Sequence, residues 1–322
     1  MVKIDLNRGC GARRHYDLPV IRRRLALAAS AVAVCLPAGA CTAPAATPTT
    51  TASASASVTP FDPRAALAAS TTGIDTGGYT FSVVGPAFEM SGAVHTPTGS
   101  AETLSMTKQK NVSVMTRARV TAGGTYSQWS VSGGQWDDLD RVVDMMARSP
   151  DANIRKDAAT YRDLREFLDG TSWMPPGSLP ASMTPQLDLN APDVVGVKRL
   201  LGRIKTVEGD NRAITGTLDT SRIAKDQTMI GMLARQYPPR TGTAMPFRVL
   251  LDIQDRVATF SLTTPGSPDT WVINLSEYGK VQPLTAPPPD TIKKPSPAVV
   301  TFLRGKDLTE PLWRKRSPRA GA

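Results

Sequence analysis

Three cysteines, two histidines and 28 carboxylates are the side chains with which this sequence could do chemistry, and their spacing permits little of it. A Ser-His-Asp or Cys-His set needs a histidine to move the proton. His15 falls in the arginine-rich leader described below, which leaves His95. It stands in Ala93-Val94-His95-Thr96-Pro97, where an alternating run meets a turn, and a solvent-exposed strand-end position is expected. No HExxH, CxxC, GxxxxGK[ST] or GxSxG pattern occurs, so no metal site, no cofactor and no catalytic residue is expected. Asp137-Asp138-Leu139-Asp140, behind Trp136, reads as the opening turn of a helix, where carboxylates suit the dipole. The sequons at Asn111 and Asn274 fall inside predicted strands.

The cysteines point to a different reaction. Arg22-Arg23-Arg24 is followed by the apolar run Leu25–Ala40 and then by Cys41. The run is shorter than the roughly 20 residues a membrane-spanning helix needs, and its order of charge, apolar stretch and small residues describes a secretory signal peptide. Ala38-Gly39-Ala40-Cys41 resembles the lipobox of bacterial lipoproteins, in which the thiol takes up diacylglycerol and becomes the mature N-terminus. Ala38 stands where leucine is usual. Cys35 follows bulky Val34, which would obstruct the peptidase. Residues 1–40 are therefore read as a lipoprotein signal peptide and Cys41 as the lipidated residue. A soluble secreted protein with an incidental Cys41 is the other reading. One acyl chain binds a membrane only marginally and two hold stably, so a diacylated Cys41 makes membrane lipid a partner and places the chain on the outer face of the cytoplasmic membrane. Cys10 and Cys35 would leave with the leader, and the mature protein would then carry no disulfide and no thiolate metal site.

The net charge of +10 belongs to the two ends. Residues 1–40 hold seven basic and two acidic side chains, and residues 293–322 hold eight and two; the body, 42–292, is left at about −1. Nucleic-acid binding needs a basic face on the fold itself, so no nucleic-acid partner is expected. The basic tail, 293–322, is expected to be disordered and solvated, with contact to anionic lipid or wall polymers as the other use of such a segment.

Residues 41–60 are rich in Thr, Ser, Ala and Pro, carry no charge and cannot bury a core, which makes them a tether. Asp62-Pro63 then reads as the cap and first position of a short alanine-rich helix. Period-two alternation begins at Tyr79, Phe81 and Val83 and returns over 88–95, 103–108, 112–121, 125–131, 214–219, 247–252, 257–263 and 271–276. Helical spacing marks Tyr161, Leu164, Phe167 and Leu168, then Val194–Ile204, then Met229–Tyr237. Trp173-Met174-Pro175-Pro176 reads as a loop, a lid or a spacer. The prediction is one α+β domain over 61–292. It has about nine to eleven antiparallel strands in one curved sheet, with helices packed on one face. A monomer is expected.

Several stretches carry a family resemblance: Gly78-Tyr79-Thr80-Phe81, Gly124-Thr125-Tyr126 with Trp129, Gly216-Thr217-Leu218-Asp219, and Ile273–Gly279 running into Thr285-Ala286-Pro287-Pro288. Together they make residues 61–292 similar to the LolA-like, LppX–LprG-type lipoproteins of actinobacteria. Residues 136–157 and the segment after 294 do not match that pattern. The resemblance implies a half-barrel whose concave face, roofed by helices, holds acyl chains. It implies a lipid, glycolipid or lipoprotein acyl group as ligand, and a non-enzymatic carrier or chaperone in the cell envelope. The cavity is then expected to be lined by Phe81, Val83, Met106 and Val114 from alternate strand positions, with Leu200 and Leu201, beneath helices 158–168 and 194–204. The alternative is an interaction or regulatory lipoprotein with the same fold, a collapsed cavity and an envelope protein partner. An envelope hydrolase using Ser and Lys, or Asp and Glu, in place of histidine is a third reading, and a serine beside a buried lysine would mark it; Lys198 and Lys205 flank an apolar stripe as its solvent edge.

Overall fold

The computed structural model describes residues 61–305, save 87, 110, 181–183, 185–186, 237–241 and 265–269. The expected signal peptide, Cys41 and the expected tether lie outside the described residues, and all that follows concerns the unit Val58–Ala322. Asp62 caps α1 (Pro63–Ser70), its carboxylate accepting from the backbone N–H of Arg64 at 2.9 Å and Ala65 at 3.2 Å. A short α2 (Thr72–Asp75) leads into a meander of β1 (Gly78–Gly85), β2 (Phe88–His95), β3 (Ser100–Gln109), β4 (Val112–Thr121) and β5 (Gly124–Ser132). The helical hairpin α3 (Leu139–Ala147) and α4 (Ala152–Leu168) then delivers β6 (Asp169–Met174). After a long crossing come α5 (Val197–Leu201), β7 (Ile204–Gly209), β8 (Ala213–Leu218), α6 (Met229–Gln236), β9 (Met245–Leu251), β10 (Val257–Thr263), β11 (Thr270–Ser276) and α7 (Pro297–Gly305).

All eleven strands join one sheet in the order β6-β5-β4-β3-β2-β1-β11-β10-β9-β8-β7, and every pairing is antiparallel. The chain thus starts mid-sheet, meanders to the β6 edge, crosses to the β7 edge over 175–203, and returns to pair β11 with β1. This is the predicted α+β class. Two strands were hidden in the sequence. β6 takes up Trp173 and Met174, read above as loop. β7 begins at Ile204, which apolar spacing had assigned to a helix.

Register fixes which side chains face the helices. On β1 these are Tyr79, Phe81 and Val83, and pairing carries the phase to Ile273 and Leu275, Phe260 and Leu262, Phe247 and Val249, and Ile214 and Leu218. All are buried in one cluster with α5 and α6. A Cβ at Gly92 would come 2.1 Å from the Glu102 carbonyl and 2.7 Å from the Phe81 ring, so glycine lets that ring lie across its neighbour strand. On the other side of the sheet the same phase gives Ala101, Thr103 and Ser105 on β3, Thr116 and Ala118 on β4, and Ser127 and Trp129 on β5. The large side chains there sit nearer the edge. Val112, Met174 and the apolar faces of α3, α4 and α7 form a second cluster.

The domain does not stop at Ile292, as the sequence had suggested. Past β11 the chain runs over the outer face, where Leu284 N–H donates to Ser100 Oγ at 3.1 Å and Arg119 donates to the Thr285 carbonyl at 3.3 Å. Ile292 bridges Trp173 on β6, which blunts that sheet edge. α7 then places Val299 and Leu303, 0% and 5% exposed, in the second cluster. The expected disordered tail therefore gives up residues 293–305 to the fold, because two apolar side chains one helical turn apart find a buried face. Residues 306–322 lie outside the described ones.

Candidate functional site

Near its end the long crossing is fastened to the body of the domain. Tyr79, buried on β1, donates its hydroxyl to the Pro192 carbonyl at 3.1 Å and accepts from Val195 N–H at 3.4 Å. Burial holds the Tyr79 hydroxyl well above its usual pKa, so it stays a donor. From the other side, Met229 and Ile230 at the start of α6 donate to the carbonyls of Val194 and Val195 at 2.9 and 3.1 Å. Asp193 accepts from the backbone of Gly196, Lys198 and Arg199 at 3.0, 3.3 and 2.8 Å. Burial raises its pKa, and those three N–H groups act against the rise.

Upstream of this clamp, Leu187 and Leu189 lean on the first cluster while Leu179 belongs to the second. Between them and the sheet opens a hollow of roughly 690 Å³. Val120, at the inner end of β4, contributes to its lining, with Leu187, Leu189, Pro192 and Pro97. Polar groups complete it: Asp75 and Thr76 from the end of α2, Thr96 from the β2–β3 turn, and Asn190. Three of these side chains are already engaged. Thr76 Oγ1 donates to the Gly73 carbonyl at 2.8 Å, Thr96 Oγ1 donates to the Gly77 carbonyl at 3.4 Å, and Asp75 pairs with Lys198 at 2.6 Å. Behind Val120 the sheet offers only small side chains, Ala101 directly opposite and Ala118 two residues back, both buried. Apolar surface beside a fixed polar rim suits an amphiphile better than a reaction. Among the described residues no group of three His, Cys, Asp or Glu could hold a metal ion, and no helix is long and apolar enough to cross a membrane.

No family model matches the chain, and no curated protein does. Among solved structures, the lipoprotein LppX of Mycobacterium tuberculosis is similar over 69% of this chain and 96% of its own, at 12% identity and a TM-score of 0.35. The fold class given above stands on the strand register alone.

The six residues expected to line a cavity do not meet in one place. Phe81, Val83, Leu200 and Leu201 lie together, but inside the packed first cluster, between 0% and 8% exposed. Val114 shares their face of the sheet yet packs beside the second cluster. Met106 pairs with Glu89 and Met115, one residue out of phase, and stands on the outer face. The inward phase of its strand holds Ala101, Thr103, Ser105 and Thr107, while Leu104 and Met106 share the outward one, so hydrophobicity alone pointed the wrong way. The stretches expected as helices 158–168 and 194–204 roof separate clusters rather than one void, and only Val197–Leu201 of the second is helical. His95 sits half-buried at its strand end, its Nδ1 2.7 Å from Thr98 Oγ1. Lys198 and Lys205 are exposed. Val120 was legible as the in-phase continuation of Val114. Leu187 and Leu189 were not, since two leucines among Asp, Asn and Pro set no period.

Proposed function

We propose that this chain is a membrane-anchored, extracytoplasmic lipoprotein that binds the acyl chain of a lipid or glycolipid without transforming it. Cys41 is its anchor and the cell envelope its location. The observation that carries the reading is the hollow beneath the crossing segment. It is open to solvent on one side, so it would hold a chain laid along its floor rather than enclose one. Its apolar lining, Val120, Leu187, Leu189, Pro97 and Pro192, stands next to polar groups at its rim. An apolar ligand gains roughly 25 cal/mol for each Å² it removes from water.

One observation favours the second reading, an interaction lipoprotein with a filled core and an envelope protein partner. The four residues expected at the centre of a cavity are packed against one another. The test is native mass spectrometry of the mature chain, residues 41–322 carrying Cys41→Ser, after incubation with envelope acyl lipids. The expected result is a mass adduct that extracts as acyl lipid and is lost in L187E/L189E, while the far-ultraviolet spectrum of that variant is unchanged. A clean mass in the unaltered chain would transfer the assignment to the interaction lipoprotein.

A further inference from the structure

The body of the chain is nearly neutral, yet its charge is sorted. The stretch 137–169, which holds the α3–α4 hairpin, has nine carboxylates and six cations. The opposite end, around α5, the start of β7 and the approach to α6, is the reverse. Asp226, 8% exposed, is the hub there. Arg203 donates to it at 2.8 Å, Arg199 stands 3.9 Å away, and Arg235 donates to its carbonyl at 3.0 Å. One aspartate therefore gathers three guanidinium groups, and the Arg203 Nη1 is buried with no partner among the described residues. Asp219 is the second acid; bonds from Ser221 hold its carboxyl below the usual range, with Lys205 and Arg203 adding to the effect. Lys205, whose charge reaches Asp219, and Arg222 and Lys225 on the approach to α6 are exposed and enter no ion pair among the described residues. Counting Arg64 and Lys198, and the carboxylates of Asp62, Asp75, Asp193 and Glu208, the surface sets eight cations against six acids.

Two further features say what this surface meets. Arg64, in the first turn of α1, donates to the Lys205 carbonyl at 3.5 Å. The described chain therefore begins, at Phe61, beside the basic surface, and the nineteen residues 42–60 separate that point from Cys41. Lys198, through its pair with Asp75, also stands at the rim of the hollow. We infer that the α5–β7–α6 surface docks on the anionic bilayer to which the tether leads, with the rim of the hollow turned toward the lipid. Juxtamembrane cations are drawn to such a surface within a Debye length, about 10 Å at 0.1 M salt. The acidic hairpin, at the other pole, is repelled and orients the domain. This inference does not depend on what the hollow holds, and its test reads surface binding rather than ligand uptake.

The test uses the mature chain with Cys41→Ser, so that no anchor contributes, and sedimentation with vesicles of phosphatidylcholine alone or mixed with phosphatidylglycerol. Binding is expected only to the mixed vesicles and only at low salt. Removing three exposed cations, K205Q/R222Q/K225Q, should weaken it roughly 100-fold, at about fivefold for each. Removing three from the hairpin, R141Q/R148Q/R162Q, should leave it within twofold. R314Q/K315Q/R316Q measures the part played by the C-terminal segment. A fluorophore on K225C should be quenched by lipid-borne quencher, and one on D144C should not. Equal binding to both vesicles, no binding at all, binding lost only with the C-terminal variant, or quenching at Asp144 instead of Lys225 would each overturn the docking surface.

Discussion

The two sides of the sheet solve the same problem differently. Between β1 and β7 the inward positions are mostly Phe, Ile, Leu and Val, with Tyr79, Met245 and Trp271, and α5 and α6 press onto a continuous core. Between β2 and β6 the inward positions of β3, β4 and β5 are mostly Ala, Ser and Thr. There the apolar side chains come from α3, α4 and α7 and from strand residues near the edge, Val112, Val114, Trp129, Val131 and Met174. A smaller hollow of roughly 120 Å³ remains there beside Leu139, Leu168 and the Arg165–Asp140 ion pair. The hollow proposed for a ligand lies where these regimes meet. Strands with small inward side chains leave space only if something bridges it, and the crossing segment does so from one cluster to the other. The difference teaches that one sheet can carry a stable core and a site, provided the large side chains are not shared evenly.

The largest effect should separate the two sides. Phe260, 0% exposed, stacks within 6.1 Å of Phe247. Phe260→Ala should cost about 3–5 kcal/mol and lower the stability of the whole domain in chemical denaturation. Ending the chain before Pro297 removes Val299 and Leu303, whose burial is worth about 3 kcal/mol or more together. Its damage should be local. Amide exchange should quicken in α4 and β6 and stay slow in β1, β10 and β11. If protection fell equally in β10 and β11, the two clusters would be one cooperative unit and the contrast would be of composition only.

How much of this was readable in advance follows from the same contrast. Strands of the well-packed side alternate large apolar with polar residues, so Phe247–Asp252, Val257–Thr263 and Trp271–Ser276 were found within a residue or two of their observed ends. The edge strands β6 and β7 were missed because an edge strand is short and half its neighbours are absent. Trp173 is buried on the outer face by Arg119 and the C-terminal segment, a contact made across more than fifty residues of sequence. α7 hid in a segment whose charge dominated its composition. Of the candidate site, the strand phase that leads from Val114 to Val120 was legible; Phe81, Val83 and Val114 share that face but do not line the hollow. The half that comes from the crossing segment was not legible, because its position is set by Tyr79 and the start of α6 rather than by its own residues.

An intermediate effect probes the join between sides. Tyr79→Phe keeps the ring in its core and deletes the hydroxyl that holds Pro192 and Val195. The loss of a buried hydrogen bond should cost about 1–2 kcal/mol. The amide of Val195 should exchange faster, and the crossing segment over the hollow should become more sensitive to protease. Unchanged exchange at Val195 would mean that the bonds from α6 suffice, and that the site's roof is fastened from the helix side alone.

The smallest effect concerns a turn of the well-packed side and should leave the other untouched. Asp252 sits between β9 and β10, where it accepts from the backbone of Gln254 at 2.8 Å and Arg256 at 2.9 Å, and from the Arg256 guanidinium at 2.7 Å. Partial burial pushes its pKa up, but the Arg256 side chain and these N–H groups outweigh it and hold the carboxyl below the usual range. A depressed carboxylate contributes stability that is present above its unfolded pKa and lost as pH falls through the folded value. Because the pair is partly exposed, the contribution should be under about 1 kcal/mol. Asp252→Asn should therefore be less stable than the parent at neutral pH, and the gap should close as the solution is acidified below the ordinary carboxylate range. Exchange in α4 and β6 should be the same in both proteins at every pH. A gap that widened in acid would mean that the carboxyl is held up by burial instead. The β9–β10 turn would then be a strained part of the core rather than a support for it.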